Sequence, residues 1–385
     1  MNSNRTVIVP HVGAGGGAGI YISDIYSYFK NKVGNVDVIG PFSCSYSGLN
    51  SDYLLCKSYF PNYKGVRLLA KIFWLVNCLL MHFFFLGSIR KCIAEIPAGT
   101  TLILTSSIQI HWARMFKKLG FKGRVVCFIQ ENLELDGLFG LYIRRFCLNH
   151  IDELACITQD WHDYASTFNV DSTLVMNSFD EYHFSNTVSY HASVVETKSL
   201  ATSKHSDNSV LLYLGGGQRI KGWDFIKEVF LNLSKEYNIE ILCLGTFSAT
   251  QKKEIECINT RMTNESKLTV LENVSDVKLF YSICDFVLIP IISPHFCRPA
   301  IEAGFFTKTY IIPDFSELEF FAKHEENCLK YQSNSFSSFS KSVCRLLDEK
   351  KLCSRLARSN KAFANKIFYL GRFDDDMGKI FLSNK

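Results

Sequence analysis

Two glycine-rich segments and one short polar run carry the residue types that could do chemistry. The first segment, Gly13-Ala14-Gly15-Gly16-Gly17-Ala18-Gly19, follows the β-branched run Thr6–Pro10 and precedes Ile22, Ile25, Tyr26 and Phe29 at helical spacing. Backbone N–H groups there can approach an anion with no Cβ in the way, and the dipole of the following helix favours negative charge, so phosphate is the natural ligand. The loop also fits a tight-packing role. A nicotinamide cofactor is disfavoured, because the next strand ends Val38-Ile39-Gly40-Pro41 and lacks the acidic residue that would hold its ribose.

The second segment reads Gly215-Gly216-Gly217-Gln218-Arg219-Ile220-Lys221-Gly222. A strand running into this turn puts two cationic side chains where a diphosphate leaving group would need its charge neutralised. The third run, Ser293-Pro294-His295-Phe296-Cys297-Arg298-Pro299-Ala300-Ile301-Glu302, has a proline suited to the first turn of a helix. Glu302 is expected within that turn, either accepting hydrogen bonds from vicinal ribose hydroxyls or complementing the helix dipole. The run Asp374-Asp375-Asp376 contains D-x-D, a metal-binding pattern in other settings. At this end of the chain it is expected to be a solvated turn or helix cap.

The elements that must position these residues follow one grammar. Strand-like runs at Val36–Ile39, Thr101–Thr105, Val125–Gln130 and Leu154–Thr158 alternate with helical segments, predicting an α/β half with a parallel sheet. The pattern restarts at Val210–Leu214, with further strands at Ile239–Leu244, Leu268–Leu271 and Asp285–Pro290. The expected organisation is a Rossmann-like domain over 1–184, a polar linker over 185–209, a second Rossmann-like domain over 210–365, and a C-terminal segment, 366–385, returning to the first domain. Ligands of such sheets bind beyond the carboxyl ends of the strands, so a cleft between two facing halves is the expected site.

At 385 residues, with 47% hydrophobic and 21% charged residues, the chain is long enough for two packed domains and far from a disordered composition. A net charge of +5 over this length does not point to nucleic acid. The 14 cysteines include no C-x-x-C pair, and Cys127, Cys243 and Cys284 sit in apolar strand-like runs. They read as buried small hydrophobes in a reducing cytoplasm, and the N-terminus shows no secretory pattern. Charge is uneven along the chain. Residues 64–124 hold ten basic residues against Glu95, whereas 131–181 hold ten acidic residues against Arg144 and Arg145. The uncharged run Ile72–Ile89 lies within the basic region. It is read first as a helix packed on its own domain, next as a helix touching an anionic membrane surface, and last as a span.

These motifs, in this order, resemble the retaining GT-B glycosyltransferases of glycosyltransferase family four. GGGAGIYISDIYSYF is similar to the family's first glycine loop and helix, MNSFDEYHF to its NGVDxxxF signature, and LYLGGGQRIKGWDFI to its GRxxxxKG donor-phosphate loop. VSDVKLFYSICDFVLIP and HFCRPAIEAG resemble its VSDEEL…ADVFVLPS and SFGLPVLEA segments. The resemblance implies a GT-B fold with two Rossmann-like domains facing each other across a cleft. It implies transfer of a sugar from a UDP- or GDP-linked donor to a glycan or lipid-linked acceptor with retention of configuration, in bacterial surface polysaccharide assembly. No metal, cofactor or nucleic acid is expected, and the location is cytoplasmic with peripheral contact at the inner membrane face. On the donor side it points to Gly16, Gly17, Gly215, Gly216, Lys221, His295, Phe296, Cys297, Arg298 and Glu302, with Lys221, Arg219 and Glu302 nearest the chemistry. On the acceptor or sugar side it points to His11, Gln130 and Glu131.

The departures are specific. The family's loop arginine falls on Gly216, leaving Arg219 or Arg298 to supply a second cation. The first glutamate of its E-x7-E pair falls on Pro294, next to His295, and its histidine after the fourth strand falls on Gln130. These losses also fit a degraded module serving as a partner subunit, and the fold also fits a nucleotide-sugar epimerase, which would consume donor without an acceptor.

Overall fold

A computed structural model describes residues 5–13, 16–39, 86–130, 137–179, 208–262, 264–272 and 277–382. The chain divides into two compact units, Met1–Asn177 with Phe373–Lys385, and Ser178–Arg372.

The first unit is built on six parallel strands: β1 (Arg5–Val9), β2 (Asn35–Val38), β3 (Thr101–Leu104), β4 (Arg124–Ile129), β5 (Glu153–Cys156) and β6 (Asp171–Leu174), in the order β2-β1-β3-β4-β5-β6. Both faces are covered by helices, and the strands are accordingly continuous apolar runs: β4 is buried from Val125 to Ile129. The helix α1 (Gly16–Lys32) starts on the second glycine pair, so Gly16, Gly17 and Gly19 are helical residues and not loop. A Cβ at Gly17 would meet nothing within 4 Å, so packing does not require glycine there.

The first unit also takes in the end of the chain. In the helix Leu370–Leu382, Phe373, Met377 and Ile380 are buried at i, i+4 and i+7, and Phe373 meets Tyr21 edge-on. Arg124 donates to the Ile380 carbonyl and pairs with the buried Glu153. This docking corrects the expectation for Asp374–Asp376. The run lies inside the helix, and Asp376, on the flank of its apolar stripe, is buried with Lys379 2.6 Å from it.

The second unit has strands β7 (Ser209–Tyr213), β8 (Ile239–Leu244), β9 (Lys267–Leu271), β10 (Phe286–Leu288), β11 (Tyr310–Pro313) and β12 (Leu329–Tyr331), all parallel, ordered β12-β11-β10-β7-β8-β9. This is the doubly wound order. Connections leave β7 in one direction across the sheet and return to β10 in the other, so the carboxyl ends of β7 and β10 flank the switch point, where a crevice forms. The equivalent point in the first unit lies between β1 and β3.

Cys127 and Cys243 are fully buried in β4 and β8, and Cys284 is buried just before β10. Among the described residues, no helix is long and apolar enough to cross a membrane. Residues 72–85 of the apolar run lie outside the described residues, as does the linker up to residue 207.

Candidate active site

The loops after β7 and β10 carry the second and third chemical segments, and the switch point brings them together. Gly216, at φ 55°, donates its N–H to Leu244 O (2.9 Å), and Gly217 donates to Thr246 O (3.0 Å). The glycines thus bind this loop to the end of β8, and a Cβ on Gly216 would lie 2.8 Å from Thr246 O. Their amides are already used, so recognition of an anion here falls to side chains.

Arg219–Lys221 form a single 3-10 turn that ends at Gly222 in the left-handed conformation, from which the helix Trp223–Leu233 starts. The loop after β10 packs directly on this turn, with Ile292 N–H donating to Ile220 O at 3.2 Å. The result is one close pair. Lys221 Nζ lies 2.6 Å from His295 Nε2, while His295 Nδ1 lies 2.9 Å from Ser293 O. A carbonyl only accepts, so Nδ1 carries the ring proton, and Nε2 is the lone pair that accepts from the ammonium. Burial and the adjacent ammonium push His295 down to about 4, keeping the imidazole neutral. Burial also lowers Lys221 below the ordinary lysine value. Cys297 is itself pushed up to about 12 by burial, so it is a thiol, and its Sγ lies 3.3 Å from His295 O.

Arg298 opens a helix spanning Arg298–Phe305, with proline in its first turn. Glu302 is its fifth residue, one turn deeper than the sequence suggests, and the helix has no acidic residue in its first turn. It therefore lies beyond the reach of a simple dipole role. Its two oxygens are held separately: Oε1 accepts from Arg298 Nε at 2.8 Å, and Oε2 accepts from Tyr281 Oη at 2.8 Å. Glu302 is 4% exposed, and Tyr281 is fully buried with its ring stacked on Phe306. Each carboxylate oxygen keeps lone-pair capacity for a further donor, such as a sugar hydroxyl.

Tyr281 is the residue of this loop cluster that sequence reading missed. It lies in a short helix, Lys278–Ile283, whose sequence gives only an aromatic at a buried position. Tyr281→Phe is expected to lower stability by about 1.5–3 kcal/mol, because it removes a buried hydrogen bond to a charged group. Urea unfolding measures this directly, and an unchanged midpoint would show that Glu302 does not depend on the phenol.

Other predicted residues stand apart from the pair. The Arg219 side chain is 87% exposed, with Nε 4.0 Å from Asp224. Phe296 belongs to an aromatic cluster with Phe320, Phe321 and Phe368. Gly215 packs against the Tyr213 ring.

In the first unit, the β1/β3 switch point gathers His11, Thr105, Gln109 and Gln130. Thr105 Oγ1 donates to Val9 O (3.1 Å) and accepts from His11 N–H (3.0 Å), with His11 Nδ1 at 2.9 Å. The hydroxyl hydrogen goes to Val9, so His11 Nδ1 is the donor. Gln130 Nε2 donates to Thr105 O at 2.9 Å, and Gln109 Oε1 accepts from Thr105 N–H at 2.8 Å. Thr105 and Gln109 carried no signal in the sequence. Glu131 lies outside the described residues.

Comparison with known proteins agrees with this architecture. Residues 195–363 match the model of the family Glycosyl transferases group 1. No curated protein matches significantly. Among solved structures, Anabaena Alr3699/HepE in complex with UDP superposes with TM-score 0.71 at 13% identity, over 98% of this chain and 100% of that one. Sucrose-phosphate synthase from Thermosynechococcus elongatus gives TM-score 0.72 at 13% identity, over 99% of this chain and 98% of that one. An α,α-trehalose-phosphate synthase (UDP-forming) from Burkholderia vietnamiensis gives TM-score 0.72 at 11% identity, over 99% of this chain and 100% of that one. Residues 195–363 are thus similar to a glycosyl transferases group 1 domain, and the two six-stranded parallel sheets have the GT-B fold of these solved structures.

Proposed function

We propose that this protein transfers a sugar from a nucleoside-diphosphate donor, UDP- or GDP-linked, to a glycan or lipid-linked acceptor, with retention of anomeric configuration. The setting proposed is bacterial surface polysaccharide assembly. The observation that carries the reading is the Lys221–His295 pair at the β7/β10 switch point, in the domain that matches the glycosyltransferase family. Solved neighbours of the same fold bind UDP and UDP-glucose.

In this reading the bond between the anomeric carbon and the donor phosphate oxygen breaks as the acceptor oxygen bonds to the same carbon. The acceptor proton passes to the departing phosphate, so no protein nucleophile takes part. Lys221 stabilises the negative charge that grows on the diphosphate, without a metal. Arg298 and Tyr281 hold Glu302 for the ribose, and His11 with Gln130 serves the acceptor or sugar side.

A thermal-shift screen with UDP, GDP and their sugars tests the donor half, because a ligand that binds only the native state raises its melting temperature. A nucleoside diphosphate should stabilise the protein, and no shift with any of them would end the donor-site reading. The anomeric proton coupling of the product, read by NMR, tests retention.

A further inference from the structure

We propose that His295 is a positioning residue that fixes the Lys221 ammonium while leaving its positive charge uncompensated. The inference rests on the donor-site reading above and deepens it, by assigning the device that keeps the Lys221 charge available to an anionic ligand.

Four observations carry it. The imidazole is held at both nitrogens, by Ser293 O on one side and Lys221 Nζ on the other, so its orientation is set by the loop and not by the lysine alone. The residue that holds the ammonium is neutral. Among the described residues, the ion pairs found for the nearby acidic groups are with other partners: Glu302 with Arg298, and Asp224 with Arg219 and Lys227. The lysine itself is half-buried, and a flexible four-carbon stem there needs an acceptor to hold its head group in one place.

A carboxylate would fix the ammonium just as well, but it would cancel the charge that an incoming diphosphate is meant to meet. In the family that this sequence resembles, a glutamate stands one position earlier, at Pro294 here. A neutral acceptor keeps one of the three ammonium protons and leaves the other two, with the full unit charge, for the ligand. The arrangement compensates for the glycine at position 216, where the resemblance expects an arginine. With no arginine at position 216 and Arg219 87% exposed beside Asp224, Lys221 is the loop cation kept unpaired by charge.

Three variants separate this role from a merely structural one: His295→Gln, which keeps a neutral acceptor, His295→Leu, which removes it, and His295→Glu, which adds a charge. Two readouts are used on the full chain. Competitive acetylation of Lys221, followed by peptide mass spectrometry across pH, reports the neutral-amine fraction without any ligand. Isothermal titration with UDP reports the anion site. In His295→Leu, the buried ammonium loses its acceptor, so Lys221 should acetylate faster at a given pH. In His295→Glu it should acetylate slower, by roughly tenfold or more for a shift of one pKa unit. His295→Gln should restore a profile within about threefold of the parent.

UDP affinity should fall most in His295→Glu, by roughly tenfold or more, less in His295→Leu, and should be largely recovered in His295→Gln. Identical acetylation profiles in all four proteins would overturn the proposal, and so would UDP binding to His295→Glu as tight as to the parent. If the acetylation order holds while the parent binds no UDP or GDP, His295 still positions Lys221, and it is the donor-site reading that falls.

Discussion

Lys221→Ala should weaken nucleoside-diphosphate binding, and donor turnover with it, by about 10²–10³-fold, the usual consequence of removing one charged partner from a partly desolvated anion site. The size follows from the surroundings. The Gly216 and Gly217 amides are bonded to Leu244 and Thr246, so they do not stand in for the missing ammonium. Arg219, two residues away, is 87% exposed and lies nearest Asp224. Solvent screens a charge so placed, and Arg219→Ala should cost only several-fold. The loss in Lys221→Ala should not come from unfolding. Burial already depresses the lysine's protonation, so the native state holds this ammonium against a desolvation penalty, and removing it relieves that penalty while leaving His295 Nε2 without its donor. The two effects oppose each other, and the melting temperature without ligand should move by only a few degrees. Titration calorimetry with UDP and GDP on both variants decides the matter. Equal affinity in Lys221→Ala and the parent would remove Lys221 from the donor site.

The sequence made much of this legible, for physical reasons that differ between elements. Buried parallel strands appear as apolar runs with β-branched residues, and β1, β4, β7 and β8 are all of this kind. β6, β11 and β12 escaped. β6 is a sheet-edge strand of sequence DSTL that begins exposed, and β12 has three residues, too few to show any period. Lys221 and His295 were each visible as residue types, but 74 positions separate them, and only the side-by-side pairing of β7 and β10 brings them within bonding distance. The same limit hid Tyr281, whose phenol reaches Glu302 from 21 residues away. The burial of Asp376 was invisible because a C-terminal D-x-D is polar by composition. It is the apolar stripe of Phe373, Met377 and Ile380 that docks its helix and carries the aspartate in.

Gly222→Ala should destabilise the second unit by at least about 3 kcal/mol, a value set by conformational strain and a clash acting at one position. Gly222 has φ 84°, a conformation that costs an L-residue about 1–2 kcal/mol even with open space around it. Here the space is not open. An added Cβ would stand 1.8 Å from Pro290 O and 2.6 Å from Pro290 C, atoms of backbone that cannot rotate aside. Either the 3-10 turn or the loop after β10 must move, and these are the two segments joined by the Ile292–Ile220 hydrogen bond and the Lys221–His295 pair. The substitution therefore strikes stability and the anion site together, although glycine touches no ligand. Gly34 separates the two causes, since it has φ 82° with nothing within 4 Å of an added Cβ. Gly34→Ala should show the strain alone, about 1–2 kcal/mol. Differential scanning calorimetry of both variants, with UDP titration of whatever folded Gly222→Ala is recovered, provides the comparison. If the two substitutions cost the same, the close approach of Gly222 to Pro290 does not exist in solution, and the placing of His295 beside Lys221 loses its support.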